Sequence, residues 1–92
     1  MRTRFHSYKE LFDFARELRD SLVNKGKVKE AQELTELLDG YRTTASEALG
    51  DFLVSLKRVR NTVIKNFPDA TVEKLDLAIQ QIQEAFDQAN NP

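Results

Sequence analysis

The middle of the chain reads Leu38-Asp39-Gly40-Tyr41-Arg42-Thr43-Thr44-Ala45-Ser46-Glu47, and the path of the backbone here determines the topology. An Asp-Gly pair is typical of a turn, because glycine adopts backbone angles that other residues disfavour. Thr44 and Glu47 have the spacing of a capping box, in which two side chains satisfy backbone N–H groups at the start of a helix. Both signals predict that one helix ends near Gly40 and that another begins after Thr44.

The hydrophobic periodicity across the same region supports a second interpretation. At about 100° per residue, the apolar side chains stay within one narrow sector of a helix. One continuous helix over residues 28–66 would explain that phase, and the fold would then contain three helices. Helices of this length are rare in globular domains, so we expect a break near Gly40. The residues that keep the phase are Leu34, Leu38, Tyr41, Ala45, Ala48, Phe52 and Leu56.

Two helices are predicted before the break. Ser7 and Glu10 have capping-box spacing, and Gly26 suits the left-handed turn that closes a helix. Apolar residues then recur from Val28 onward, which predicts a second helix joined to the first by a tight turn. The apolar stripe of the first helix is Tyr8, Leu11, Ala15, Leu18 and Leu22, widened by Phe12, Phe14 and Val23, and that of the second is Val28, Ala31, Leu34, Leu37, Leu38 and Tyr41.

Two further helices are predicted after the break, separated by Phe67-Pro68-Asp69. The residue before a proline is pushed away from helical angles, so the third helix should end at residue 66. After the proline, apolar residues recur at alternating intervals of three and four positions, which predicts the fourth helix. We expect the third helix to bury Ala48, Leu49, Phe52, Leu53, Leu56, Val59, Val63, Ile64 and Phe67, and the fourth to bury Val72, Leu75, Ile79, Ile82, Phe86 and Ala89.

These segments predict an all-α fold, a compact antiparallel bundle of about four helices within one domain over residues 1–92, with flexible ends at 1–6 and 90–92. Charge alternates in blocks: residues 1–29 carry +4, residues 30–51 carry −5, residues 52–67 carry +4 and residues 68–92 carry −4. Because oppositely charged helices make favourable neighbours, the first helix should lie against the second and the third against the fourth.

The composition excludes several classes of protein. The chain has no cysteine, so it offers neither a disulfide nor a thiolate nucleophile. Its longest aliphatic and aromatic run is Phe52-Leu53-Val54, far short of the roughly 18 residues of a membrane span. The amino terminus lacks the apolar segment of a secretory signal. We therefore expect a cytoplasmic protein that does not enter a membrane.

The sequence contains no recognisable catalytic or metal-binding constellation. His6 is the one histidine, it precedes the first helix, and the Glu-x-x-His element of di-iron bundles is absent. The carboxylates with helical spacing are interpreted as a solvated acidic face. We expect no enzymatic activity, no cofactor and no metal. These carboxylates are Glu30, Glu33, Glu36, Glu47 and Asp51.

One dense basic patch, Lys57, Arg58, Arg60 and Lys65, falls on the third helix. A patch of this kind could contact nucleic acid, but cations also interact favourably with the carboxyl end of a helix and with an acidic neighbour. The net charge of −1 disfavours binding to phosphates. We do not expect nucleic acid to be a partner.

Val54 and Leu77 lie opposite the main apolar stripes of their helices, so a core within one chain does not explain them. Because a domain of this size has a marginal core, we expect a homodimer that covers both. The aromatic pair Phe12 and Phe14 is a second candidate interface. The resulting hypothesis is a non-catalytic protein interaction or regulatory module, with or without a further protein partner. The alternatives are a small nucleic-acid-binding regulator and a small acidic inhibitor or immunity-type protein that docks its second helix on a basic partner.

Overall fold

Each of the four helices in the fold begins or ends at a local signal in the sequence. The computed structural model describes residues 5–40 and 45–90, with side chains described for 5–40 and 47–88. The helices are α1 (Tyr8–Asn24), α2 (Val28–Asp39), α3 (Ala45–Asn66) and α4 (Asp69–Asn90). Over the described residues the fold is all-α without a strand, which confirms the predicted class.

The first helical hairpin is closed by a glycine. Gly26 has a φ of 76°, and the N–H groups of Gly26 and Lys27 donate to the carbonyls of Val23 and Leu22 at 3.0 and 2.8 Å. This pair of bonds is the Schellman motif, which satisfies carbonyls that a helix end would otherwise leave without donors. At the other end of α1, the Ser7 hydroxyl accepts from the Glu10 N–H at 3.3 Å, as predicted.

One detail of that cap differs from the prediction. The Glu10 carboxylate accepts a hydrogen bond from the N–H of His6 rather than from that of Ser7. It therefore reaches one residue further back than a capping box requires, and it holds the residue that precedes the cap.

The chain folds back between α2 and α3, so the alternative of one continuous helix over residues 28–66 is wrong. Gly40 has φ −72° and ψ 142°, which is extended backbone. Glu30 Oε1 then accepts from Thr62 Oγ1 at 3.2 Å, whereas a straight helix would separate these residues by about 48 Å. Thr44, the predicted cap, lies outside the described residues.

All four helices contribute to one core. The closest helix pairs are α3 with α4 and α1 with α2, as the charge blocks predict, and α2 also packs on α3. The radius of gyration is 12.8 Å, near the roughly 12 Å of a compact chain of this length. No helix of the described residues is both long and apolar enough to cross a membrane. The side chains buried most completely are Leu22, Leu34, Leu56, Leu75, Ile82, Val59 and Val63.

Several expectations about burial are wrong at the edges of the helices. Tyr8 and Val28 lie on predicted apolar stripes but are exposed, because each is the first residue of its helix. Ile64 is also exposed, and so is Val23, which was expected to widen the apolar stripe of the first helix. At the amino-terminal end, Phe5 is half-buried, and the centroid of its ring lies 5.5 Å from that of Phe14. At the other end α4 includes Asn90.

Candidate self-association surface

The surface of α3 that faces away from the core carries an ordered series of side chains. Its residues follow one another at steps of four and three, so they form one stripe along the helix. All of them are exposed, and we call this stripe the outer face of α3. It consists of Glu47, Asp51, Val54, Arg58, Asn61 and Lys65.

Charge along the outer face changes sign at its apolar centre. Glu47 and Asp51 are acidic and lie toward the amino end, whereas Arg58 and Lys65 are basic and lie toward the carboxyl end. Val54 stands between the two pairs with 45% of its surface exposed. Acidic groups near the start of a helix and basic groups near its end also complement the helix dipole. The same order makes the stripe complementary to itself when it is reversed.

The α2 side of the outer face is fixed by polar contacts between helices. Arg58 Nη1 donates to Glu33 Oε1 at 3.0 Å, and the same oxygen accepts from Ser55 Oγ at 3.4 Å. Leu37 and Glu36 of α2 join them in lining a shallow groove of about 250 Å³ beside Val54. The groove is lined mostly by polar and charged side chains, and Val54 is its one exposed apolar residue.

The four candidate interface residues have different environments. Val54 is exposed, but Leu77 is half-buried within the chain. Phe12 is half-buried, with its ring 5.2 Å from that of Phe52, and Phe14 is only 5% exposed. Phe14 is thus a core residue whose ring packs against Phe5 of the same chain. Of the four, Val54 alone is in the exposed class.

The predicted basic patch is divided between different sides of α3. Arg60 points toward α4, where its Nε and Nη2 donate to the two carboxylate oxygens of Asp76 at 2.6 and 3.0 Å. This bidentate hydrogen bond raises the pKa of Arg60 above its ordinary value, and the negative charge of Asp76 adds to the effect. Arg58 turns instead toward Glu33 of α2, while Lys57 and Lys65 are exposed. The four cations do not form one continuous surface.

Two of the four acidic residues on α2 serve contacts inside the chain. Glu30 accepts from Thr62, and Glu33 accepts from Ser55 and Arg58. These carboxylates face α3 rather than forming the fully solvated acidic face that we expected. Among the described residues, no cluster of three or more histidine, aspartate or glutamate side chains is placed to hold a metal ion.

One long-range contact could not be identified from the sequence. Phe5 and Gln81 are joined by hydrogen bonds across 76 positions, and neither residue belongs to a motif. Phe5 lies two residues before the Ser7 cap, so it does not have the position of a hydrophobic staple, and no local signal identified its contact.

When the chain is compared with protein-family models, curated proteins and solved structures, none of them matches it.

Proposed function

We propose that this chain is a non-catalytic protein interaction module that forms a homodimer through the outer face of α3. The observation that carries the proposal is the order of side chains along that face: acidic, apolar, then basic. Closed two-fold symmetry is the commonest arrangement of soluble oligomers, and it brings the same surface of two copies together in opposite directions.

Reversal of the outer face against a second copy pairs unlike charges. With Val54 near the two-fold axis, Asp51 of one copy lies against Arg58 of the other. Glu47 lies opposite Asn61, between Arg58 and Lys65 of the other copy. A parallel arrangement would place like charges opposite one another, which costs free energy. The charges therefore select the antiparallel orientation, while the two valines exclude water at the centre.

Arg58 can serve a partner while it keeps its contact within the chain. Its side chain is 67% exposed, although Nη1 donates to Glu33. A guanidinium has five N–H donors in a planar fork, so a second carboxylate can bind the same group. The hydrogen bond to Glu33 thus fixes the guanidinium of Arg58 at the surface, where a carboxylate of the partner copy can also reach it.

The first experiment measures mass by light scattering behind a sizing column at tens of micromolar. We expect a dimer for the native chain and a monomer for Val54→Asp, because a carboxylate at the centre of the interface would be desolvated. Val23→Asp is the matched control, since Val23 is also exposed but lies at the end of α1. That variant should remain dimeric. Circular dichroism checks that all three chains keep their helices.

Two results would contradict the proposal. A native chain that is monomeric at tens of micromolar would show that the homodimer does not form. A dimer that survives Val54→Asp uses another surface.

A second experiment tests the role of charge. One variant carries Glu47→Lys and Asp51→Lys, and the other carries Arg58→Glu and Lys65→Glu. Each variant alone should be monomeric, because its outer face then carries one sign of charge. An equimolar mixture should form a heterodimer. If the mixture stays monomeric while both variants remain folded, charge does not direct the pairing.

A further inference from the structure

The seam between α1 and α4 is an open surface that a short segment of the chain itself covers. Two grooves of about 440 and 250 Å³ lie along this seam. Phe5 lines the first groove and Phe14 lines the second, and the centroids of their rings lie 5.5 Å apart. The segment that precedes α1 therefore lies where the two grooves meet.

Gln81 of α4 binds the backbone of that segment through two hydrogen bonds. The N–H of Phe5 donates to Gln81 Oε1 at 2.9 Å, and Gln81 Nε2 donates to the carbonyl of Phe5, also at 2.9 Å. The side-chain amide thus pairs with both polar groups of one residue, as a neighbouring strand does in a sheet. Contacts of this kind depend on an extended backbone and not on the identity of the residue.

Selectivity comes from the ring of Phe5. The ring packs on Phe14, and Lys74 Nζ lies 5.8 Å from the centroid of Phe5 and 5.4 Å from that of Phe14. A cation at this distance attracts the face of an aromatic ring. The seam therefore offers one position for an aromatic side chain beside one position for extended backbone.

We propose that the seam between α1 and α4 binds an extended peptide segment of a partner protein, anchored by an aromatic side chain, and that Phe5 occupies the site until the partner displaces it. A longer peptide would keep the contacts of Phe5 and would also fill the two grooves on either side. This site is separate from the outer face of α3, so the proposal does not depend on the homodimer.

The test uses the full chain with Phe5→Ala, which empties the position of the ring and leaves only the backbone contacts of residue 5 to compete, and a labelled synthetic peptide with the sequence of residues 2–8. Fluorescence anisotropy should show binding to this variant. The native chain should bind about tenfold more weakly if its own segment occupies the site nine-tenths of the time. A peptide with alanine in place of its phenylalanine keeps the same charges and should not bind. Phe5→Leu, which keeps apolar bulk, provides a second variant with an intermediate affinity.

Position 81 supplies the matched control. In the Phe5→Ala chain, Gln81→Ala should weaken peptide binding, whereas Gln80→Ala should not, because Gln80 is an exposed neighbour on the same helix. The proposal would be overturned if the peptide with phenylalanine and the peptide with alanine bound equally well. It would also be overturned if neither peptide bound to a folded Phe5→Ala chain. So would a loss of dimer mass in Phe5→Ala, since the segment would then be exchanged between copies.

Discussion

Asp13 lies on α1 between two cations of the same helix. Its carboxylate accepts from Lys9 Nζ at 2.9 Å and from Arg16 Nη1 at 3.0 Å. The hydrogen bond from Lys9 is the largest cause of a pKa for Asp13 below its ordinary value of 3.8, and the charges of Lys9 and Arg16 contribute further. A lowered pKa means that the folded state favours the ionised carboxylate, so the contribution to stability is present above the unfolded pKa.

We expect a nuclear magnetic resonance titration to place the midpoint of Asp13 below 3.8. Lys9→Gln should raise that midpoint more than Arg16→Gln does, because Lys9 donates the dominant hydrogen bond. The stabilisation should be lost as the pH falls through the folded pKa, so Asp13→Asn should lower the urea midpoint at pH 7 but not in strong acid. A native midpoint at or above the ordinary value would contradict this account.

The structural role of a single residue could be predicted where that role depends on residues close to it in the sequence. Gly26 and Ser7 act through backbone angles and through neighbours three or four positions away, and both do what the sequence predicts. Phe14 shows the limit of such reasoning, because helical phase placed it near a stripe without showing which helix would cover it. It is the ring of Phe5, together with Lys74 from α4, that contacts it.

At the scale of the helices, one glycine marks close packing. Gly50 lies inside α3, where glycine costs about 1 kcal/mol relative to alanine. A Cβ built at Gly50 would lie 3.1 Å from Cε1 of Phe86, closer than real Cβ contacts ordinarily allow. The missing side chain therefore makes room for an aromatic ring of α4, which explains a residue that helix propensity disfavours.

Gly50→Val should lower the free energy of unfolding by about 1–3 kcal/mol, as expected for overpacking. The cost arises from the Phe86 ring, so Gly50→Val should be much less costly in a chain that already carries Phe86→Ala. Urea unfolding of the four chains forms a double-mutant cycle and isolates this coupling. An equal cost in both backgrounds would show that Phe86 is not the cause.

Helix ends were easier to predict than helix faces. The start of α1, the ends of α1 and α2 and the boundary between α3 and α4 follow from a cap, two glycines and a proline of the sequence. In contrast, Ile64 and Val28 were assigned to the core and are exposed. Periodicity shows which side chains share a face, but the width of the buried sector depends on how the neighbouring helices approach. That approach is a property of tertiary packing.

At the scale of the whole molecule, the topology depended on the break at Gly40. Two local signals predicted it correctly against a hydrophobic phase that continued through the turn. The seam between α1 and α4 could not be predicted, because the contact between Phe5 and Gln81 joins opposite ends of the chain. The order of charges along α3 is visible in the sequence, but its meaning depends on knowing that this face points away from the core.

Nucleic acid should not bind with measurable affinity at physiological salt. Arg60 is held by both carboxylate oxygens of Asp76, and the chain has a net charge of −1, so few cations can replace counterions on phosphate. Fluorescence anisotropy with duplex and single-stranded probes measures this directly. Micromolar binding that disappears when Arg58 and Arg60 become glutamate would contradict the prediction.

The most direct test of the homodimer is a distance between two copies of one position. Because the chain has no cysteine, Asn61→Cys provides a single site for a spin label on the outer face of α3. Antiparallel pairing centred on Val54 separates the two labels by about 21 Å along the helix axis, which predicts one distance between roughly 20 and 35 Å in double electron–electron resonance. A peak well below 20 Å would indicate parallel helices, and the absence of any dipolar signal at tens of micromolar would contradict the dimer itself.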